Sequence, residues 1–294
     1  MTQFLQATVN GLLQGGLLAL VAVGFSLVWG VMNIVNLAHG AFVLIGAYVA
    51  WKLQDAIGLP PLLGALVAAT GLFAAGYLVQ RYLINLVVNA PIWMTLLLTF
   101  GLSLLLVNGL VLLFTGDFRS IHTAYGGDSL SIGAVRVPIG RLIAFLIAIA
   151  ITIALVAFMD RTRLGLAIKA TGMDRGAARL MGVTVRRVYG VTFAIAAGLA
   201  GAAGAISGTV NTFSPSDAGA FTLQSFVIAV LGGLGNMWGA LAGGLALGLV
   251  QAWSGQYLGG TLINAVAFAV LVLVLMVRPA GLLGKPYYEA RVEV

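Results

Sequence analysis

The chain has no cysteine, which removes disulfides and thiolate metal sites from consideration. Charge is scarce as well: 8% of the residues are Asp, Glu, Lys or Arg, and only eight are acids. From Met1 to Trp51 there is no charged residue at all. The basic n-region of a cleaved signal peptide is therefore missing, and the first apolar run is expected to remain as a span. Histidine is limited to His39 and His122, with no acid close to either in the sequence. A nucleophile triad or a metal centre has no support on that basis, and no cofactor is expected. The nucleotide-binding pattern G-x-x-x-x-G-K-[ST] is absent too, its nearest approach, Gly284 and Lys285, running into Pro286. The chain is not expected to hydrolyse ATP by itself.

What fills the sequence instead is hydrocarbon. Of its 294 residues 61% are hydrophobic, mean hydropathy is +1.08, and apolar runs of about 20 residues recur, each long enough to cross the bilayer as a helix. Candidate spans fall at 9–30, 37–51, 62–80, 92–115, 141–159, 188–208, 226–253 and 262–277. No polar–apolar alternation is sustained, so a membrane barrel is ruled out. The expected class is an all-α integral membrane protein of about eight transmembrane helices, some broken or re-entrant, forming one domain over 1–294. None of the eight acids lies inside a run: Asp55, Asp117, Asp128, Asp160, Asp174 and Asp217 sit in loops or at run ends, Glu289 and Glu293 in the tail. Proton-coupled transport, which needs an intramembrane carboxylate, is disfavoured, while sodium coupling through carbonyls is only weakened.

The net charge of +7 does not point to nucleic acid, because the basic residues flank apolar runs as membrane topology requires. Seven of the fifteen cluster in one connection, 161–187: Arg161, Arg163, Lys169, Arg175, Arg179, Arg186 and Arg187. A loop so rich in Lys and Arg stays on the cytoplasmic side. Counting spans from it places both termini outside, whereas Arg278, Lys285 and Arg291 pull the tail inward. Trp29, Trp51, Trp93 and Trp253 fall near run ends, where indole suits the headgroup region. Glycines at four-residue spacing, Gly11 and Gly15, Gly204 and Gly208, and Gly235, Gly239 and Gly243, mark expected close helix contacts. A weak internal similarity links Leu13–Gly30 to Leu223–Gly239.

Two interruptions stand out as candidates for a substrate path. Asn33, Asn36 and His39, followed by Gly40, form a polar cluster in an apolar context, which needs partners or a cavity at membrane depth; the alternative is a helix junction made of capping bonds. Gly232, Gly233, Gly235 and Asn236 permit a turn and a close backbone approach, with a re-entrant half-helix expected over 222–232. Within the basic loop, Arg175 to Gly182 reads as a short cationic helix. It would carry Ala177, Ala178, Leu180 and Met181 on a small-to-apolar side, Arg175 and Arg179 one turn apart, and Gly182 as its C-terminal cap. Such a helix suits a groove on a partner protein or a surface of anionic lipid headgroups.

These residues carry a family resemblance. GLAIKATGMDRGAARLMG over Gly165–Gly182, the N-terminal GLLQGGLLALVAVGFSLVWGVMNIVNLAHGAF, LGGLGNMWGALAGG and the closing RPAGLLG resemble, in order, the permease subunits of branched-chain amino-acid ABC importers, specifically the LivH type. The resemblance implies an inner-membrane assembly with a second homologous permease, two cytoplasmic ATP-binding subunits and an extracytoplasmic substrate-binding protein. It places Ala177, Ala178, Arg179, Leu180, Met181 and Gly182 at the ATPase contact, and Asn33, Asn36, His39 and Gly40 in the N-terminal signature. One departure is Gly176, where many relatives carry Glu. The reading from another class, a self-contained channel for urea or short amides, leaves Arg175–Gly182 without a role.

Overall fold

The computed structural model describes residues 2–88, 90–123, 126–133 and 135–284; the tail residues Lys285, Glu289, Arg291 and Glu293 lie outside them. In chain order the helices are α1 (Thr2–Met32), α2 (His39–Ile57) and α3 (Pro61–Val79), which runs through a π-helical turn (Gln80–Ile84) into α4 (Asn85–Val87). Then follow α5 (Ile92–Phe114), α6 (Ile139–Arg161), α7 (Arg163–Met173), α8 (Arg175–Leu180), α9 (Val185–Ser207), α10 (Ala218–Gly232), α11 (Met237–Tyr257) and α12 (Ile263–Val277). Between α5 and α6 lies a small antiparallel hairpin, β1 (Ser129–Ile132) with β2 (Val135–Pro138). Its strands are too short to leave a readable alternation in the sequence.

Glycine decides how the centre packs. Long α1 runs antiparallel to α11: a Cβ on Gly11 would lie 2.9 Å from the carbonyl oxygen of Gly248, and one on Gly15 2.7 Å from that of Gly244. Only glycine allows backbones so near, and in hydrocarbon such contact replaces the hydrophobic drive that water would supply. A Cβ on Gly198 would lie 3.0 Å from the Ala69 carbonyl oxygen, which seats α9 against α3. Of the expected glycine contacts, Gly208 differs, since it faces Ile121 and Phe213 of the connecting segments rather than a helix. The result is a dense centre of α1, α9 and α2 with α10 and α11 beside it. Windows of α1 are 89% buried, whereas those of α5 and α12 are 11% buried and turn their apolar side chains outward.

Contacts at the helix ends separate the two faces. On one, the Gln6 side chain exchanges hydrogen bonds with the backbone of Arg136 (2.7 and 2.8 Å), Gln54 does so with His122 (2.5 and 3.0 Å), and Trp253 donates to Thr8 (3.0 Å). On the other, Arg175 donates to the carbonyl of Met32 (3.0 Å), and Leu282 and Leu283 donate to the carbonyls of Leu231 and Gly232 (2.8 and 3.0 Å). The second face carries Arg81, Arg161, Arg163, Lys169, Arg175, Arg179, Arg186, Arg187 and Arg278, with only Asp160 and Asp174 as acids among the described residues. It is the basic face, the one the positive-inside rule assigns to the cytoplasm.

The expected count of about eight spans, some broken, is roughly consistent with this geometry, and one boundary is redrawn. The run expected at 226–253 is two helices, α10 and α11, bent by 113° about residues 233–236. Four helices therefore follow the basic loop, and the chain as far as Gly284 returns to the basic face, in line with Arg278 rather than with parity. The weak internal similarity has no structural counterpart: Leu13–Gly30 lies within unbroken α1, whereas Leu223–Gly239 crosses the break.

Candidate functional site

Helix α1 ends at Met32 because Asn33 adopts a left-handed conformation (φ 54°), which Asn tolerates better than most residues. The chain then doubles back in extended form, and α2 starts well inside the bilayer. His39 Nε2 donates to the Val21 carbonyl at 2.8 Å, and Val21 lies roughly 16 Å along α1 from Met32. Starting a helix at that depth leaves amides without partners unless protein supplies them. Leu37 N donates to Thr99 Oγ1 of α5 (3.2 Å), Ala38 N to Asn36 Oδ1 (3.1 Å) and His39 N to the Asn36 carbonyl (3.2 Å). Gly40 N donates to Thr222 Oγ1 of α10 (2.9 Å). A Cβ at Gly40 would strike the Ala218 carbonyl, so the starts of α2 and α10 meet backbone to backbone. Asn36 and His39 are buried and Asn33 is exposed. The sequence named Asn33, Asn36 and His39 but missed Thr99 and Thr222, which look like ordinary span residues.

The second interruption lies at the basic-face ends of α10 and α11. Gly233 (φ 103°) and Gly235 (φ 80°) adopt conformations that L side chains resist. A Cβ on Gly235 would sit 2.8 Å from Gly30 Cα of α1. Gly232 and Gly239 approach across the bend so closely that neither has room for a side chain. Asn236 Oδ1 caps α11 by accepting from Gly239 N (3.1 Å), while its Nδ2 donates to the Leu283 carbonyl (2.7 Å). Gly235 N donates to Ser26 Oγ (3.2 Å). An open cavity of about 670 Å³ adjoins this bend and is lined by Gly30, Asp160, Lys169, Gly172, Gly235 and Asn236 among others. Asn33, Asn36 and His39 do not line it, so the two expected path clusters occupy different depths, joined by α10.

The basic loop folds as α7 and α8, separated at Asp174. Asp174 Oδ1 accepts from Gly176 N (2.6 Å) and Ala177 N (3.0 Å), a full N-cap for α8. Asp174 thus sets a negative charge at the N-terminal end of α8, beside Gly176. Gly182 (φ 82°) ends the unit, with Val183 N donating to Ala178 O at 3.0 Å. Ala178 turns inward, unlike the rest of the expected apolar side: Ala177 is exposed, and Leu180 and Met181 are 90% and 84% exposed; Arg179 is exposed as well. Arg175 points the other way, to the Met32 carbonyl and, 5.6 Å from its centroid, over the ring of Tyr189 in α9.

Broken helices meeting inside a bilayer, with a cationic helix beneath them, define a polytopic membrane protein. The family model described as "Branched-chain amino acid transport system / permease component" matches residues 7–277. The chain is 33% identical to the high-affinity branched-chain amino acid transport system permease protein LivH of Escherichia coli K12 and 31% identical to BraD of Pseudomonas aeruginosa, covering 97% of both chains in each case. It is 27% identical to LivM of Escherichia coli K12 over 90% of this chain and 67% of that protein. The fold is shared with PsaBC from Streptococcus pneumoniae, solved in complex with Fab, at TM-score 0.53 and 16% identity over 94% of this chain and 92% of that one. The chain belongs to the branched-chain amino acid permease family and is a multi-pass protein of the inner membrane.

Proposed function

We propose that the chain, acting as one domain, is the membrane subunit through which an ATP-driven importer moves branched-chain amino acids or similarly small solutes by alternating access. Its partners are a second homologous permease, two cytoplasmic ATP-binding subunits and an extracytoplasmic substrate-binding protein. The observation that carries the reading is the double engagement of α8. Leu180 and Met181 project into open space, while Arg175 on the same short helix holds the last carbonyl of α1 and stacks on α9. A displacement of α8 by the ATP-binding subunits would be delivered to Met32, where α1 gives way to the segment leading to Asn36 and His39. Those two residues shape the path by fixing where α2 begins; Gly232, Gly233, Gly235 and Asn236 supply its cytoplasmic hinge.

Leu180→Asp tests this reading in the reconstituted assembly. The side chain is solvent-exposed, so insertion and thermal stability should match wild type within about 0.5 kcal/mol. Stimulation of ATP hydrolysis by loaded binding protein, and uptake with it, should be lost. Unchanged uptake would overturn the coupling role, and substrate flux through the isolated chain in liposomes would favour a channel.

A further inference from the structure

A separate cavity of about 410 Å³ opens at the cytoplasmic ends of α3 and α9, and its lining includes Arg81, Arg186 and Arg187 with Tyr82, Asn85 and Thr184. Three arginines from two spans line it with no acid among the lining residues, and none of the three is ion-paired among the described residues. Arg81 and Tyr82 stand in the π-helical turn that extends α3, a local irregularity that often accompanies a functional site. Gly190 lets the Tyr77 ring pack at the floor, where a Cβ would sit 2.8 Å from Tyr77 Cε2. Thr184 is the N-cap residue of α9, and its side chain makes no capping bond. The amides and positive dipole end of a 23-residue helix therefore add to the arginines.

From the cavity an apolar stripe runs along α3 toward the bilayer interior: Leu78 and Val67, on one face of the helix, are 53% and 46% exposed, and Ala74 between them is exposed too. We propose that this cavity holds the phosphate headgroup of an anionic phospholipid, with its acyl chains lying along that stripe. The stripe decides between occupants, because an acidic protein surface would satisfy the arginines yet leave the neighbouring apolar side chains unused.

Native mass spectrometry of the full chain in neutral detergent, titrated with dioleoylphosphatidylglycerol or dioleoylphosphatidylcholine, reads the site directly. The variant Arg81→Gln/Arg186→Gln/Arg187→Gln should require about 100-fold more phosphatidylglycerol for the first retained lipid, given the usual contribution of each basic residue near an anionic headgroup. Phosphatidylcholine should bind weakly and equally to both proteins. Arg161→Gln/Arg163→Gln/Arg278→Gln, which removes the same charge from the same face, should keep wild-type phosphatidylglycerol binding. Equal phosphatidylglycerol binding by all three proteins would overturn the site, as would inorganic phosphate displacing the lipid at equal concentration. Undiminished lipid binding by the first variant, with loss of its association with ATP-binding subunits, would assign the arginines to a protein contact instead.

Discussion

The two interruptions solve one problem in opposite ways. At 33–38 the chain ends one helix and starts another at membrane depth, and side chains satisfy the freed amides: Asn36 from the segment itself, Thr99 from α5 and Thr222 from α10. At 233–236 the bend is made by removing side chains, so that Gly30, Gly232 and Gly239 bring backbones together and the segment carrying Leu282 and Leu283 pairs with the end of α10. A break held by donors and acceptors fails when a polar group loses its partner. A break held by close approach fails when anything is added. The second failure is the costlier, because packed backbones have nowhere to go.

Gly235→Val is accordingly the most damaging change. It combines a β-branched residue at φ 80° with a Cβ 2.8 Å from Gly30 Cα. Backbone strain and overpacking together amount to about 4 kcal/mol. Thermal melting in detergent should fall sharply, with most of the protein lost to aggregation. A Gly235→Val protein that melts like wild type would show that the bend does not depend on its contact with α1.

Asn36→Leu attacks the other break with a smaller expected effect. It deprives a buried amide, Ala38 N, of its acceptor at 3.1 Å, a loss of about 2 kcal/mol. The variant should still assemble, melt lower and transport poorly, because the start of α2 is no longer fixed. Wild-type uptake together with the lower melting point would remove Asn36 from the path and leave it a structural cap.

How much of this was readable beforehand follows the same division. Glycine clusters announce a bend by composition, so 232–236 was legible as an interruption. That α11 turns back by 113° was not, because the apolar character continues unbroken through 226–253 and hydropathy does not register direction. The polar cluster at 33–39 was legible as residues but not as a network. Its partners Thr99 and Thr222 lie at 62 and 182 or more residues' separation in sequences that read as plain spans. The helix Arg175–Gly182 was legible because Gly182 marks its end; the inward turn of Ala178 depends on packing with the rest of the molecule, which periodicity alone does not fix.

Asn236→Ala is the mildest test and the one that sharpens the contrast. Asn236 is the polar residue within the glycine break, capping α11 through Gly239 N and holding the Leu283 carbonyl. If the bend is held by backbone approach, losing both bonds should cost only about 1 kcal/mol, since the Leu283 bond is exposed and the Gly239 bond only partly buried, so water can replace much of the side chain. The melting point should drop slightly and uptake should persist. A loss as large as that of Asn36→Leu would mean that this break, too, is held by its side chain, and the glycines would then be permissive rather than decisive.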